Sequence, residues 1–339
     1  MIRRVLSAAF VVAIGIALLI LAWPQLFGLD HAPVIAQIVS LRGMVVALAG
    51  AGVVALLFVA LLSRALRRFV ASVAVLLIAF IGLNLIVLAD RGVGDIAFET
   101  AGPNDVTVLT WNTLGDAPGA QTVADLALEQ GADVITMAET TVEFGTAVKA
   151  IMDAAGSPVH VISAHFDLIS KARSTTMLVS TALGEYAQDD TVGSTGQLPS
   201  IVAKSISGTG PTLIAVHPVA PVPGELATWN SDLDWLATAC VGDNVIMAGD
   251  FNSTLDHYSR LPHAKGATIG DCTDAGKLSG NAAVGTWPAS LPALLGTPID
   301  HVMLTDNWRV SGMRVVQSLD GAGSDHRPVV VQLSPAVSE

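Results

Sequence analysis

Gly249-Asp250-Phe251-Asn252 and Ser324-Asp325-His326-Arg327-Pro328 decide the fold of this 339-residue chain. Each follows an apolar run that reads as a buried strand: Val245-Ile246-Met247-Ala248 before the first, Met313-Arg314-Val315-Val316 a few residues before the second. Asp and Asn are poor strand formers. Just past a hydrophobic strand, they stand where the chain leaves the sheet and side chains face a cleft. A carboxylate, a carboxamide and an Asp-His pair at strand ends are the groups that bind a divalent metal and handle a phosphate.

Working outward, the same arrangement recurs. Val106-Thr107-Val108-Leu109-Thr110-Trp111-Asn112 is a strand ending in Asn, and Ala132 to Glu139 is a strand ending in Glu. Thr212 to Pro218 is a strand that ends at His217. Asp300 lies inside the apolar run Thr297 to Leu304, where an unpaired carboxylate would be costly. Strands alternate with helix-like segments at Thr122–Gln130, Thr141–Ala155 and Leu226–Ala239, which makes the class α/β.

This order of residues resembles the endonuclease/exonuclease/phosphatase superfamily over about Asp105 to Leu333. The resemblance implies a DNase I-like four-layer α/β sandwich, two sheets face to face with helices outside. It implies Glu139 as the main metal ligand, helped by Asn112 and Asp325 directly or through water. It implies Mg²⁺ as the cofactor, with Mn²⁺ or Ca²⁺ as alternatives. Asp250 then orients or deprotonates the attacking water, Asn252 and His217 face the phosphate, and Asp300 pairs with His326, whose role as base or as phosphate stabiliser the sequence leaves open. Two departures stand out: Ala138 occupies the position where the family often has Gln, and Thr176 replaces a Gly before Met177 to Ser180. Weaker substrate-side candidates are Lys171 and Arg173, ahead of that strand, and Trp287 in Gly285-Thr286-Trp287-Pro288. His301 should point to the opposite face of its strand and is read as structural. His160, His165, His257 and His263 fit no pattern and are expected on the surface or in loops. Zinc-type spacing and a Gly-rich phosphate loop with Lys are both absent from the sequence.

The N-terminal region is a different object. Runs of Val5–Trp23, Met44–Leu62 and Phe69–Ala89 contain no charge, and each is about as long as a membrane-spanning helix. Arg3-Arg4 would also serve a signal peptide, but no small-x-small site follows and two further spans do. Arg3, Arg4, Arg64, Arg67 and Arg68 flank one side of the spans, Arg42 and Arg91 the other. The expected topology is a multi-pass cell-membrane protein with a cytoplasmic N-terminus and an extracytoplasmic catalytic domain. Residues 1–91 are read as the anchor, 92–104 as a linker around Gly102-Pro103-Asn104, and 105–339 as the catalytic domain.

Charge narrows the function. Residues 1–91 hold seven Arg and two Asp, so of 17 basic and 29 acidic residues 10 and 27 remain beyond them, a net −17. Non-specific nucleic-acid binding is mainly electrostatic, and so acidic a domain has no general attraction for a polyanion. The expectation is therefore a metal-dependent hydrolase of a phosphate ester or pyrophosphate at the outer membrane face. Its partners would be the bilayer and a lipid-linked or envelope phosphate. The alternative is an extracellular nuclease of the DNase I type. A catalytically inactive binding domain on a membrane anchor is disfavoured because no site residue is missing. Cys240 and Cys272 lie in the exported part, where a disulfide can form; two buried thiols are the alternative.

Overall fold

The structure is a computed structural model that describes residues 2–166, 169–262 and 268–336. It divides into two compact units, Met1–Asp90 and Arg91–Glu339. The first is helical: α1 (Ile2–Ala22), α2 (Ile35–Ser40), α3 (Arg42–Leu62) and α4 (Arg67–Arg91). Three of these, α1, α3 and α4, are long and apolar enough to cross a membrane. Leu6, Phe10, Leu57, Phe58, Ile78 and Ile86 are exposed on them, a surface suited to lipid. Arg42 does not sit in a polar flank as the sequence suggested. Its guanidinium is buried and donates to Asn84 Oδ1 at 2.6 Å and to the Ala22 carbonyl at 3.1 Å. Two acceptors make that burial tolerable.

The second unit alternates strands and helices. In chain order it runs β1 (Val106–Thr110), α5 (Ala120–Gln130), β2 (Val134–Ala138), α6 (Val142–Ala154), β3 (Val159–His165) and β4 (Ser174–Ser180). There follow β5 (Tyr186–Gln188), β6 (Ile201–Ser205), β7 (Thr212–Val216), α7 (Leu226–Ala239) and β8 (Val245–Asp250). The rest is β9 (Thr268–Ile269), β10 (Cys272–Asp274), α8 (Ala275–Ser279), β11 (Asp300–Leu304), β12 (Trp308–Val315) and β13 (Val329–Pro335).

The strands form two mixed sheets, ordered β12-β13-β1-β2-β4-β3 and β5-β6-β7-β8-β11-β10-β9. Val106, Val108, Val134 and Met177 of the first sheet share one core with Leu213, Ala215, Ile246, Ala248, Val302 and Leu304 of the second. On the outer face of the first sheet Leu109, Ile135 and Met137 pack against Val123 and Ala127 of α5 and Val148 of α6. The central strands are thus covered on both faces, which is why their sequences read as continuous apolar runs rather than alternating ones.

Residues 92–104 are held onto this unit rather than spanning free between elements. Ile96 pairs with Met313 of β12 by two backbone hydrogen bonds of 3.0 and 3.2 Å, and Glu99 forms a bidentate pair with Arg309 at 2.8 and 2.7 Å. The turn signal at Gly102-Pro103-Asn104 marks only the last corner, where Gly102 N–H donates to Asp105. Cys240, at the end of α7, and Cys272, at the start of β10, form a disulfide.

Candidate active site

Topology gathers the sequence's polar strand ends. In the first sheet β1 and β2 run parallel and β13 antiparallel to them. The residues after β1 and β2, Asn112 and Glu139, therefore emerge at the same edge as Asp325 and His326, which precede β13. In the second sheet β7 and β8 run parallel and β11 antiparallel to β8. His217 after β7, Asp250 at the end of β8 and Asp300 at the start of β11 meet the same way. Asp300 is the direct cross-strand partner of Asp250.

The Gly-Asp-Phe-Asn segment needs its glycine. Gly249 has φ +156°, and a Cβ there would lie 2.1 Å from the Val216 carbonyl of β7. Asp250 Oδ1 then accepts from Asn252 N–H at 2.8 Å, an Asx turn that Asn252 completes at φ 45°. Glu139 also sits at positive φ, 53°, as the chain breaks away from β2. Such a conformation is uncommon for a residue other than Gly and recurs at functional sites.

At the centre, His326 Nδ1 is 2.9 Å from Asp300 Oδ2 and its Nε2 is 3.8 Å from Asp250 Oδ2. All three residues are buried. Burial works against charge on His326, but the Asp300 and Asp250 carboxylates outweigh it and push the imidazole up to about 10. Burial raises Asp250 to about 7, with Asp300 reinforcing the shift and His326 opposing it. Near neutral pH His326 is thus a cation and Asp250 a base poised to titrate. His217 is buried, and burial, helped by the positive His326, lowers it to about 3, so it is neutral. Its Nδ1 has no partner among the described residues.

Asn112, expected to help hold the metal, is tied into the site through both ends of its carboxamide. Its Oδ1 accepts from Leu114 N–H at 3.0 Å and keeps a second lone pair. Its Nδ2 instead bridges Glu139 Oε1 at 3.1 Å and Asp250 Oδ2 at 3.0 Å. Asn252 Nδ2 donates to the Pro218 carbonyl at 2.9 Å and to Asp250 Oδ2 at 3.3 Å. Trp287 Nε1 donates to Asp325 Oδ2 at 2.9 Å. Lys171 is exposed, pairs with Asp116 at 2.9 Å and donates to the Gly115 carbonyl at 3.3 Å, and Gly115 N–H in turn donates to the Glu139 carbonyl at 3.0 Å. Arg173 immediately precedes Ser174, whose carbonyl accepts from Thr140 N–H, next to Glu139.

Asp250, Asp300 and His326 offer ligand atoms within 4.8 Å of one another. Within that grouping His326 Nδ1 is already engaged by Asp300 Oδ2 at 2.9 Å. The oxygens that fit a hard divalent cation include the Glu139 carboxylate, and Asp300 Oδ1 and Asp325 Oδ1, both buried and without a hydrogen-bond partner among the described residues.

Several residues that shape the site carried no assigned role in the sequence. Trp111 Nε1 donates to the His326 carbonyl at 2.8 Å, and Ser324 Oγ donates to the Asn112 carbonyl at 2.6 Å, locking β1 to the Ser-Asp-His turn. A buried Trp adjoining the strand-end Asn was the available signal, since an interior indole N–H needs an acceptor. Arg327 is buried and holds the neighbouring loop. His301 does face away from the cleft, as expected, and is buried in a second dyad with Asp274 at 2.7 Å. Its Nε2 lies 3.0 Å from the Ser253 carbonyl, just past Asn252. His257, expected on the surface, is buried because it closes a capping box with Thr254. His165 is exposed, His160 is half-buried at the sheet edge, and His263 lies outside the described residues.

Humanized D. rerio TDP2 superposes with a TM-score of 0.50 at 16% identity, covering 68% of this chain and 99% of that one. D. rerio TDP2 complexed with single strand DNA product gives 0.52 at 14% identity over 68% and 99%. An endonuclease/exonuclease/phosphatase from Beutenbergia cavernae gives 0.49 at 16% over 69% and 72%. The two TDP2 likenesses show the fold alone. No curated protein matches the chain. Residues 109–326, most of the second unit and more than half of the chain, match the Endonuclease/Exonuclease/phosphatase family, and the chain belongs to that family.

Proposed function

We propose that this protein is a metal-dependent phosphoesterase of the membrane surface, hydrolysing a lipid-linked or other envelope phosphate on the extracytoplasmic side. The observation that carries the reading is the meeting of Asp250, Asp300, His326, Glu139 and Asn112 in one chain with three membrane-length helices. A tether to the bilayer raises the effective concentration of the domain near lipid head groups. The net −17 beyond residue 91 argues against a long phosphate backbone as ligand.

Glu139 and Asp325 would hold the cation, which when bound supplies Lewis-acid polarisation of a phosphoryl oxygen. The chain's own residues divide the remaining work. Asp250 is aimed by Asn112 Nδ2 and Asn252 N–H and takes a proton from the attacking water. Its raised value keeps it basic enough for that near neutral pH. Protonated His326, held by Asp300, stabilises charge developing on the phosphoryl oxygens and does not serve as the base. Neutral His217 contributes one N–H. Arg173, adjoining the Ser174–Thr140 contact beside Glu139, would meet the non-reacting part of the phosphate.

The test is phosphate release by the full chain in mixed micelles, with Mg²⁺, from lipid phosphates, nucleotides and duplex DNA at equal scissile-bond concentration. Faster turnover of a lipid-linked phosphate supports the reading. Efficient DNA cleavage with no action on lipid phosphates makes the protein a nuclease. For orientation, a C-terminal tag should be cleaved by protease added to intact cells or spheroplasts, and an N-terminal tag protected; the reverse rules out an extracytoplasmic substrate.

A further inference from the structure

The loop between α8 and β11 is built as a rigid bracket. Trp287 and Thr297 exchange backbone hydrogen bonds of 3.1 and 2.7 Å, and Gly285 N–H donates to the Ala293 carbonyl at 2.9 Å. The two sides approach so closely that a Cβ on Gly285 would lie 2.5 Å from that carbonyl. Arg327 closes the bracket from the motif side, donating to the carbonyls of Gly285 at 3.1 Å, Ala289 at 2.9 Å and Leu291 at 2.6 Å. Ala289 N–H returns a hydrogen bond to the Asp325 carbonyl at 2.7 Å. The bracket and the Ser-Asp-His turn are therefore one construction.

Its product is a single contact at the cleft: the indole N–H of Trp287 on Asp325 Oδ2 at 2.9 Å. The Asp325 side chain is 42% exposed, yet its Oδ1 is buried, has no hydrogen-bond partner among the described residues and faces His326 Nε2 at 4.0 Å. A half-exposed carboxylate ordinarily rotates. Held by one oxygen from a rigid donor, it presents the other in a fixed direction. We propose that Trp287 is a positioning residue that fixes the Asp325 carboxylate through its indole N–H, so that Oδ1 is aimed at the cation, and that it is not a ring on which substrate stacks. This inference rests on the metal-dependent reading above, with Asp325 as a ligand.

The experiment measures Mn²⁺ binding to the full chain in detergent micelles, by electron paramagnetic resonance, for wild type, Trp287→Phe, Asp325→Asn and the double variant. Removing a partner that orients a metal ligand costs roughly 10-fold or more in affinity. Trp287→Phe should weaken Mn²⁺ binding by about that factor and lower kcat with KM unchanged. The double variant should bind no more weakly than Asp325→Asn. Trp287→His, which keeps an N–H, should recover part of the loss. Unchanged Mn²⁺ affinity in Trp287→Phe with a raised KM would make the ring a substrate contact and overturn the inference alone. A wild type that binds no Mn²⁺ overturns the metal-dependent reading and this inference with it. Should the variants fail to fold, the wild type decides: with its tryptophan indoles labelled with ¹⁵N, the Trp287 N–H should exchange slowly and shift on Mg²⁺ addition. Solvent-rate exchange with no response to Mg²⁺ refutes the proposal.

Discussion

Replacing Arg327 with Met should unfasten the active site's supporting loop, and the cost follows from what the guanidinium touches. It is 1% exposed, makes two 2.7 Å hydrogen bonds to Asp320, and donates to three loop carbonyls. Met roughly fills the volume but donates nothing. Asp320, one-third exposed, recovers water on losing its partner, so that pair contributes little to the cost. The three carbonyls cannot recover water without the loop opening. A buried acceptor left unsatisfied costs about 1–3 kcal/mol, and partial relaxation lowers the sum, so we expect a loss of about 3–5 kcal/mol. The assay is urea unfolding of the full chain in micelles followed by tryptophan fluorescence, with amide hydrogen exchange at Gly285, Trp287 and Gly296. Exchange protection should collapse across the loop first, and Arg327→Lys should fall between Met and wild type. A loss under about 1 kcal/mol, with protection of those amides intact, would refute the idea that this arginine builds the site rather than merely adjoining it.

Other outcomes follow from the same structure. Glu139→Gln preserves shape and removes the open carboxylate; activity should fall by orders of magnitude, as it should in wild type treated with EDTA, and full activity in EDTA without added metal would sink the mechanism. The pH–rate profile should be a bell, rising as Asp250 deprotonates at an apparent value of about 7 and falling as His326 loses its proton near about 10; Asp300→Asn should move the alkaline limb downward. Both groups sit above their unfolded values. His326 therefore stabilises the fold below about 6.5, and that contribution is lost as pH rises through about 10; Asp250's is full below about 3.8 and lost as pH rises through about 7, so urea midpoints should decline from weakly acidic to alkaline pH. Reducing the Cys240–Cys272 bridge, which closes a loop with a sequence separation of 32, should cost about 3–4 kcal/mol in the chain-entropy model, read as a lowered urea midpoint; two thiols titrating in unfolded, unreduced protein would refute the bridge.

The sequence showed which groups stand at strand ends because a polar residue after an apolar run is a local feature. It could not show that Asp250 and Asp300 are abreast. That depends on antiparallel pairing of β8 and β11, set by residues fifty positions apart in the chain. The pairing governs the chemistry, since neighbouring carboxylates in a buried cluster raise Asp250 and hold the proton on His326. Sequence therefore left the role of His326 open between base and phosphate stabiliser, and geometry supports the second. Asn112 shows the same limit from the other side. Its position was evident, but whether its oxygen or its nitrogen faces the cleft depends on the backbone N–H of Leu114, which takes the oxygen.

Donor direction also separates the tryptophans from a general reading of aromatic residues as walls. Trp111 and Trp287 stand in different elements, yet each spends its one N–H on the Ser-Asp-His turn, the first on the His326 carbonyl and the second on the Asp325 carboxylate. Arg327 anchors the turn from behind. The back of the second sheet repeats the device, with Asp274 and His301 reaching the Ser253 carbonyl behind Asn252. Both motif loops are thus held by buried side-chain donors acting on backbone or carboxylate oxygens. A site made of strand-end loops gains its rigidity from such contacts, because the strands themselves stop just short of it. That places the residues controlling precision outside the two motifs, at Trp111, Asp274, Trp287 and His301, where substitutions should disturb geometry while leaving every reacting group in place.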